Sequence, residues 1–234
     1  MRQRLILFDI DGTLIASNFS GRRVMAYALH EAYGTVGALD GYSFAGKTDL
    51  GIVKHLLTGA GLEDARIRSG LPRFYDLMAQ KGEEVFAGEG LVPCSGVEPL
   101  LAALRAEAQI MLGLQTGNIR STAFQKLRAA GLEPAWFPVA GFGSDSTDRT
   151  GLLPAAWRRA NELTGYTFTG HNTVVIGDTP GDVLAAQANS ASVLAVASGT
   201  YSVETLAEYR PDYLLSDLND TLSVLRTLTG AEGG

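Results

Sequence analysis

The sequence predicts a parallel α/β sheet that carries one all-helical insertion. Three observations lead there. Several short apolar runs each end in a polar or glycine cluster, the pattern of strands buried on both faces. Helical patterns alternate with these runs, so the connections are crossovers and the strands run parallel. One long stretch, 18–93, keeps helical periodicity but offers no buried strand.

Taken in order, Leu5-Ile6-Leu7-Phe8 is the first strand. The stretch that follows places Val24, Ala28 and Leu29, then Leu50, Val53, Leu56 and Leu57, then Phe74, Leu77 and Met78 at helical spacing. At about seventy-five residues it is too long for a single crossover and reads as an inserted helical domain. A helix from Val97 to Glu107, with Ser95 as its cap candidate, leads to the strand Ile110-Met111-Leu112-Gly113-Leu114. A helix from Thr122 to Ala130 stops at Gly131. Phe137-Pro138-Val139-Ala140 is a weaker strand whose proline argues for an edge or a strand start. The helix Leu152 to Leu163, the strand Thr173-Val174-Val175-Ile176, the helix Asp182 to Asn189 and the strands Ser192-Val193-Leu194-Ala195-Val196 and Tyr213-Leu214-Leu215 complete the core. The expected organisation is a Rossmann-like parallel-sheet core from 1–17 plus 94–234, with a small all-α cap from 18–93. Ligands of open parallel sheets sit at the carboxyl ends of the strands, so an insertion leaving from there hangs over the site as a lid.

Composition narrows the function classes. The net charge is −6 and there is no basic block, which argues against a nucleic-acid partner. An anion site must therefore gather its own positive charge from a metal, a Lys or Arg, or helix N-termini. The single cysteine, Cys94, excludes an internal disulfide. The basic start Met1-Arg2-Gln3-Arg4 is followed by an apolar run too short for a signal peptide, and no stretch approaches a membrane span, so a cytoplasmic protein is expected. His30, His55 and His171 are scattered without zinc spacing.

Carboxylates gather at the strand ends. The first strand delivers Asp9 and Asp11, the strand at 110–114 delivers Gln115-Thr116-Gly117-Asn118, and the strand at 173–176 delivers Gly177-Asp178-Thr179-Pro180-Gly181-Asp182. Unpaired clustered carboxylates repel one another, and a hard divalent cation resolves the conflict. A carboxylate is a competent nucleophile toward phosphorus, and a second one can move the proton. A hydroxyl, backbone N–H groups and a cation would surround the transferred phosphoryl oxygens. Singly, Asp11-Gly12 is an ordinary turn and Asp178-Thr179-Pro180 an ordinary helix cap. Their joint placement at neighbouring strand ends is what points to a site.

These residues resemble the haloacid dehalogenase superfamily of phosphohydrolases over essentially the whole chain. Phe8-Asp9-Ile10-Asp11-Gly12-Thr13-Leu14 is similar to its first motif, Leu114-Gln115-Thr116-Gly117-Asn118 to its second and Gly177-Asp178-Thr179-Pro180-Gly181-Asp182 to its fourth. The resemblance implies Asp9 as nucleophile, Asp11 as general acid/base and Thr116 as phosphoryl ligand, with Gly117 and Asn118 beside the substrate. It implies magnesium held by Asp9, the Asp11 carbonyl and Asp178, with Asp182 close by or supporting those ligands without touching the metal. The third motif departs from the family: Ser144-Asp145-Ser146-Thr147-Asp148-Arg149-Thr150 contains no lysine, and Arg149 is the candidate cation. The insertion matches the helical cap of phosphoglycolate phosphatases and beta-phosphoglucomutases. A carboxyl group at Asp11 suits protonation of an ester oxygen, so hydrolysis of a small phosphorylated metabolite leads, by a monomer or homodimer. A phosphomutase is the alternative within the superfamily.

Two readings from other classes compete. Gly41-Tyr42-Ser43-Phe44-Ala45-Gly46-Lys47-Thr48 fits the phosphate-loop pattern, which would make a nucleotide hydrolase if a buried strand preceded it. The glycine-broken stretch before it is not such a strand. Lys47 is instead expected to reach an anionic or hydroxylated substrate group from the cap, with Gly46 allowing close backbone approach. A phospho-accepting signalling module also uses an aspartate at a strand end, but has no need of Thr116, Asp11 or a lid.

Overall fold

The structure, a computed structural model, describes residues 3–16 and 20–229. The expected domain boundary between residues 17 and 18 lies outside the described residues. Six strands, β1 (Arg4–Phe8), β2 (Ile110–Gln115), β3 (Val139–Gly141), β4 (Thr173–Gly177), β5 (Ser192–Val196) and β6 (Tyr213–Leu215), form one parallel sheet in the order β3-β2-β1-β4-β5-β6. The order turns back at β1, with β2 on one side and β4 on the other. That switch point is where an open parallel sheet leaves a crevice.

Alternation along the strands builds two cores. Leu5, Leu7, Val175 and Val193 face one side of the sheet, and Ile6, Phe8, Val174 and Ile176 face the other. All four apolar residues of β1 are wholly buried, as a central parallel strand requires. The first side is covered by α6 (Leu152–Thr164), α7 (Pro180–Ala188) and α8 (Val203–Ala207). The second side is covered by α4 (Val97–Ala106), α5 (Arg120–Ala129) and α9 (Thr221–Thr229).

Residues 20–93 form α1 (Ser20–Tyr33), α2 (Asp49–Gly59) and α3 (Asp64–Ala87), with no strand of the sheet among them. Val24, Ala28 and Leu29 of α1, Val53, Leu56 and Leu57 of α2, and Phe74 and Met78 of α3 are buried, so the helical spacing read from the sequence is the packing spacing. The α1 and α3 helices pack on each other, and α3 packs on α5 of the core. No helix among the described residues is long and apolar enough to cross a membrane.

Some local expectations change. Ser95 does not cap α4. Gly96 is the cap residue, at φ +81°, where a Cβ would lie 2.2 Å from the Leu218 carbonyl, while Ser95 Oγ donates to Asn219 Oδ1 at 2.6 Å. A long-range contact thus selects glycine there. The weak strand begins later than expected: Pro134–Trp136 is a short 3-10 turn, Pro138 precedes β3, and β3 is an edge strand as the proline required. The α7 helix starts at Pro180, two residues before the expected Asp182, because Thr179 accepts from the Asp182 N–H and caps it.

Candidate active site

The register brings the strand ends together. Phe8 lies beside Leu114 and Ile176, so Asp9 emerges between the ends of β2 and β4. Its N–H continues the ladder to Ile176 O at 2.9 Å. The chain then folds back at Gly12, φ +89°, where a Cβ would meet Asp178 Oδ2 at 2.3 Å. Only glycine admits both that backbone and that neighbour. Thr13 Oγ1 donates to Asp178 Oδ1 at 2.9 Å, which ties the first loop to the β4 loop.

Oxygens of Asp9, Asp178 and Asp182 all lie within 4.8 Å of one another, and all three residues are buried. Arg149 stands among them. Its Nη2 is 2.9 Å from Asp9 Oδ2, and its Nε and Nη2 donate to Asp182 Oδ1 at 3.0 and 2.5 Å. Arg149, the candidate cation of the third motif, is set there by the short turn Arg149–Gly151 that leads into α6. Burial raises the Asp9 carboxyl to about 7, against Arg149, with the Asp182 and Asp11 charges adding to the rise. Burial and the Asp9 and Asp182 charges likewise push Asp178 well up. Arg149 is raised and stays cationic, since its two carboxylate partners outweigh its burial.

The donor set decides which carboxylates fit a metal. Asp182 Oδ1 is taken by Arg149 and by Gln115 Nε2 at 3.2 Å, and its Oδ2 by Thr179 N at 3.1 Å and Thr179 Oγ1 at 2.6 Å. It is a positioning group for Arg149, with no oxygen left for a metal. Asp178 Oδ2 and the Asp11 carbonyl accept from no donor among the described residues. Asp9 and Asp178 thus offer carboxylate oxygens, within 4.8 Å of each other, that fit a hard divalent cation.

Asp11 faces the same cavity with its side chain 39% exposed, but it belongs to a second network. Lys126 Nζ, on α5, donates to Asp11 Oδ1 at 2.8 Å, Asp11 Oδ2 at 2.7 Å and Asn118 Oδ1 at 2.8 Å. Asn118 Nδ2 donates to Asp11 Oδ2 at 2.7 Å and to Thr116 Oγ1 at 2.9 Å. Burial works against ionisation of Asp11, yet Lys126 and Asn118 more than offset it and hold the carboxyl below its usual range. Thr116 Oγ1 accepts from Asn118 Nδ2 and also from Asn118 N at 3.2 Å, which leaves its own proton free to donate. Lys126 is the site residue that the sequence reading missed. Its signal was there: with Thr122, Ala123, Leu127 and Ala130 it lies on the buried stripe of α5, an unusual place for a lysine.

The helical insertion closes on this floor through the loop before α2. Thr48 caps α2, Asp49 N donates to Gly117 O at 2.7 Å and Leu50 N to Gly143 O at 3.0 Å. Asp49 Oδ2 accepts from Ile119 N at 2.8 Å; burial raises this carboxyl to about 6 despite that bond and Lys126. A Cβ on Gly117 would lie 2.0 Å from Lys47 O, and one on Gly46 3.2 Å from Thr179 Oγ1. Both glycines serve loop-against-loop docking. Lys47 itself is exposed at the cavity mouth, with Nζ bonded to Ser43 O at 2.7 Å and 3.9 Å above the Tyr42 ring. It contacts none of the strand-end carboxylates. The helix α1, not a buried strand, leads into Gly41–Thr48, so the phosphate-loop reading is overturned: the segment joins α1 to α2. The cavity between floor and insertion measures about 430 Å³.

The chain is similar to known proteins over nearly its whole length. Pyrophosphatase PpaX from Bacillus pumilus (strain SAFR-032) is 26% identical over 222 residues, covering 94% of this chain and 95% of that protein. The structure of a hydrolase from Pseudomonas syringae superposes with a TM-score of 0.70 at 23% identity, over 97% of this chain and 99% of the other. A beta-phosphoglucomutase from Clostridium difficile gives 0.70 at 13% identity, over 98% of each. The sequence profile of the haloacid dehalogenase-like hydrolases matches residues 3–189, and on that span the chain belongs to this hydrolase family.

Proposed function

We propose that this hydrolase is a magnesium-dependent phosphatase that cleaves a small phosphomonoester through an aspartyl-phosphate on Asp9. The observation that carries the reading is the buried Asp9, braced by Arg149 beside Asp178, with Asp11 facing the same cavity. Asp9 Oδ attacks phosphorus, the ester P–O bond breaks, and Asp11, ionised at rest, relays to the departing oxygen a proton that enters with the phosphomonoester monoanion. Asp11 then takes a proton from the water that attacks phosphorus, and the Asp9–phosphorus linkage breaks to release phosphate. The Thr116 hydroxyl and the Gly117 N–H grip the phosphoryl oxygens, and Arg149 fixes Asp9 for attack. Asn118 acts on Asp11 and Thr116 rather than on the substrate, because its side chain is committed to both. Asp9, Asp178 and the Asp11 carbonyl would hold magnesium, whose charge neutralises the carboxylates and the transferring phosphoryl group.

In this reading α1–α3 are a cap domain and the enzyme works in the cytoplasm. The cavity suits one small phosphorylated metabolite, of which phosphoglycolate is the family's example, and the relation to PpaX makes pyrophosphate a second. Lys47 stands where it can turn from Ser43 toward the substrate's far end. Lys47→Ala should then cost more activity on such a metabolite than on an aryl phosphate. The defining experiment is a phosphate-release screen with and without magnesium, run beside Asp9→Asn. Undiminished release by that variant sinks the mechanism. Transfer to a second sugar hydroxyl in place of water would mark a mutase.

A further inference from the structure

Lys126 belongs to none of the motifs that carry the family resemblance, yet it is one of only two buried cations among the described residues. The other, Arg149, serves Asp9. An ammonium has three protons, and those of Lys126 meet Asp11 Oδ1, Asp11 Oδ2 and Asn118 Oδ1, all at 2.7–2.8 Å. No donor remains for a substrate. Its position is fixed from both sides. The α5 backbone brings it up from the core, and the insertion closes over it: Nζ lies 5.5 Å from the centre of the Phe86 ring of α3, and a Cβ on Gly21 of α1 would sit 3.4 Å from Nζ. With its side chain 6% exposed, this lysine cannot be a solvated surface charge.

A carboxylate that relays a proton must keep its oxygen aimed at the reacting atom, and a short, freely rotating Asp side chain does not do so unaided. Lys126 grips both oxygens of Asp11, and Asn118 Nδ2 adds a third bond to Oδ2. We propose that Lys126 is a positioning residue for the proton-transfer step: with Asn118 it locks the Asp11 carboxyl plane in the cavity, so that seating the helical insertion also sets the acid/base. The proposal rests on the phosphatase reading above, in which Asp11 moves the proton.

The test is a double-mutant cycle on the full-length enzyme with magnesium, using Lys126→Met, Asp11→Asn and both together. Two probes are used: p-nitrophenyl phosphate, whose leaving group needs little protonation, and glycerol 2-phosphate, whose alkoxide needs it. Lys126→Met should lower kcat on glycerol 2-phosphate about tenfold to a hundredfold, with less loss on the aryl ester and KM within about twofold. In the Asp11→Asn background the same change should cost less than about twofold, because the residue acts through Asp11. Lys126→Arg should recover part of the loss, and a magnesium-induced thermal shift equal to the parent's shows that each variant is folded. Equal losses in both backgrounds, equal losses on both esters, or an effect confined to KM would overturn the proposal. Asp9→Asn, run in parallel, separates the failures. If that variant keeps its activity, the functional reading and this proposal fall together. If it is inactive while Lys126 and Asp11 behave additively, only the proposal falls.

Discussion

At the scale of single residues, the site keeps its two working carboxylates apart by giving each its own cation. Arg149 reaches Asp9 and Asp182 through a planar fork, which a lysine's point charge cannot reproduce. Arg149→Lys should therefore cut kcat by about tenfold or more with a smaller change in KM, measured by steady-state phosphate release. Asp182→Asn leaves the guanidinium with one partner fewer in a buried setting, and should cost on the order of 3 kcal/mol in denaturant unfolding. Asp9 and Asp178 were legible in the sequence because each follows a buried run, a position that the local pattern marks, whereas Arg149 was reached through the family's third motif. The family resemblance set Asp182 beside the metal rather than on it, but the partners that occupy it were not legible, since Gln115 and Arg149 come from other elements. Lys126 escaped for the same reason: its meaning depends on Asp11, over a hundred residues away in the chain.

Among the elements, the α2 N-terminus docks on the loops after β2 and β3. It rests on backbone groups of Gly117 and Gly143 and on the Asp49 carboxylate. Gly117→Ala inserts a Cβ 2.0 Å from Lys47 O, backbone against backbone, so one of the two loops must retreat. The expected outcome is a fold that survives, faster amide exchange over residues 46–50 and a loss of activity, read by hydrogen exchange and by phosphate release. The strands and most helices could be read from periodicity alone. Glycine-dependent features such as Gly96 at the start of α4 could not, because Leu218 selects that glycine through a contact far along the chain.

For the whole molecule, the proposed magnesium site couples metal binding to pH. In the metal-free protein Asp9 is raised to about 7, above its unfolded value. That shift adds stability which is fully present below pH ~4 and is lost as pH rises through about 7. Magnesium reverses the sign, since it binds only after the proton has left. Its stabilisation should be small at pH 5.5 and grow through pH 7 toward about 2.7 kcal/mol at a hundredfold excess over Kd, a rise of several degrees in Tm. Thermal scans with and without magnesium at both pH values check this, and Asp178→Asn should remove the shift. The sheet order explains why the parts converge at all: β1 is flanked by β2 and β4 at the reversal, so three loops distant in sequence share one crevice.

The saturation of Asp182 has a further consequence for charge. Asp9, Asp178 and Asp182 set against Arg149 leave two negative charges, which one divalent ion cancels, while Asp11 and Lys126 cancel each other. The loaded floor of strand ends would then be electrically neutral, so that phosphate meets oriented dipoles and a nearby ion there, while Arg22, Lys47 and Asp49 also line the cavity. Such a pocket can favour the spread charge of the transition state while keeping only a loose hold on inorganic phosphate, so the product is free to leave once it forms.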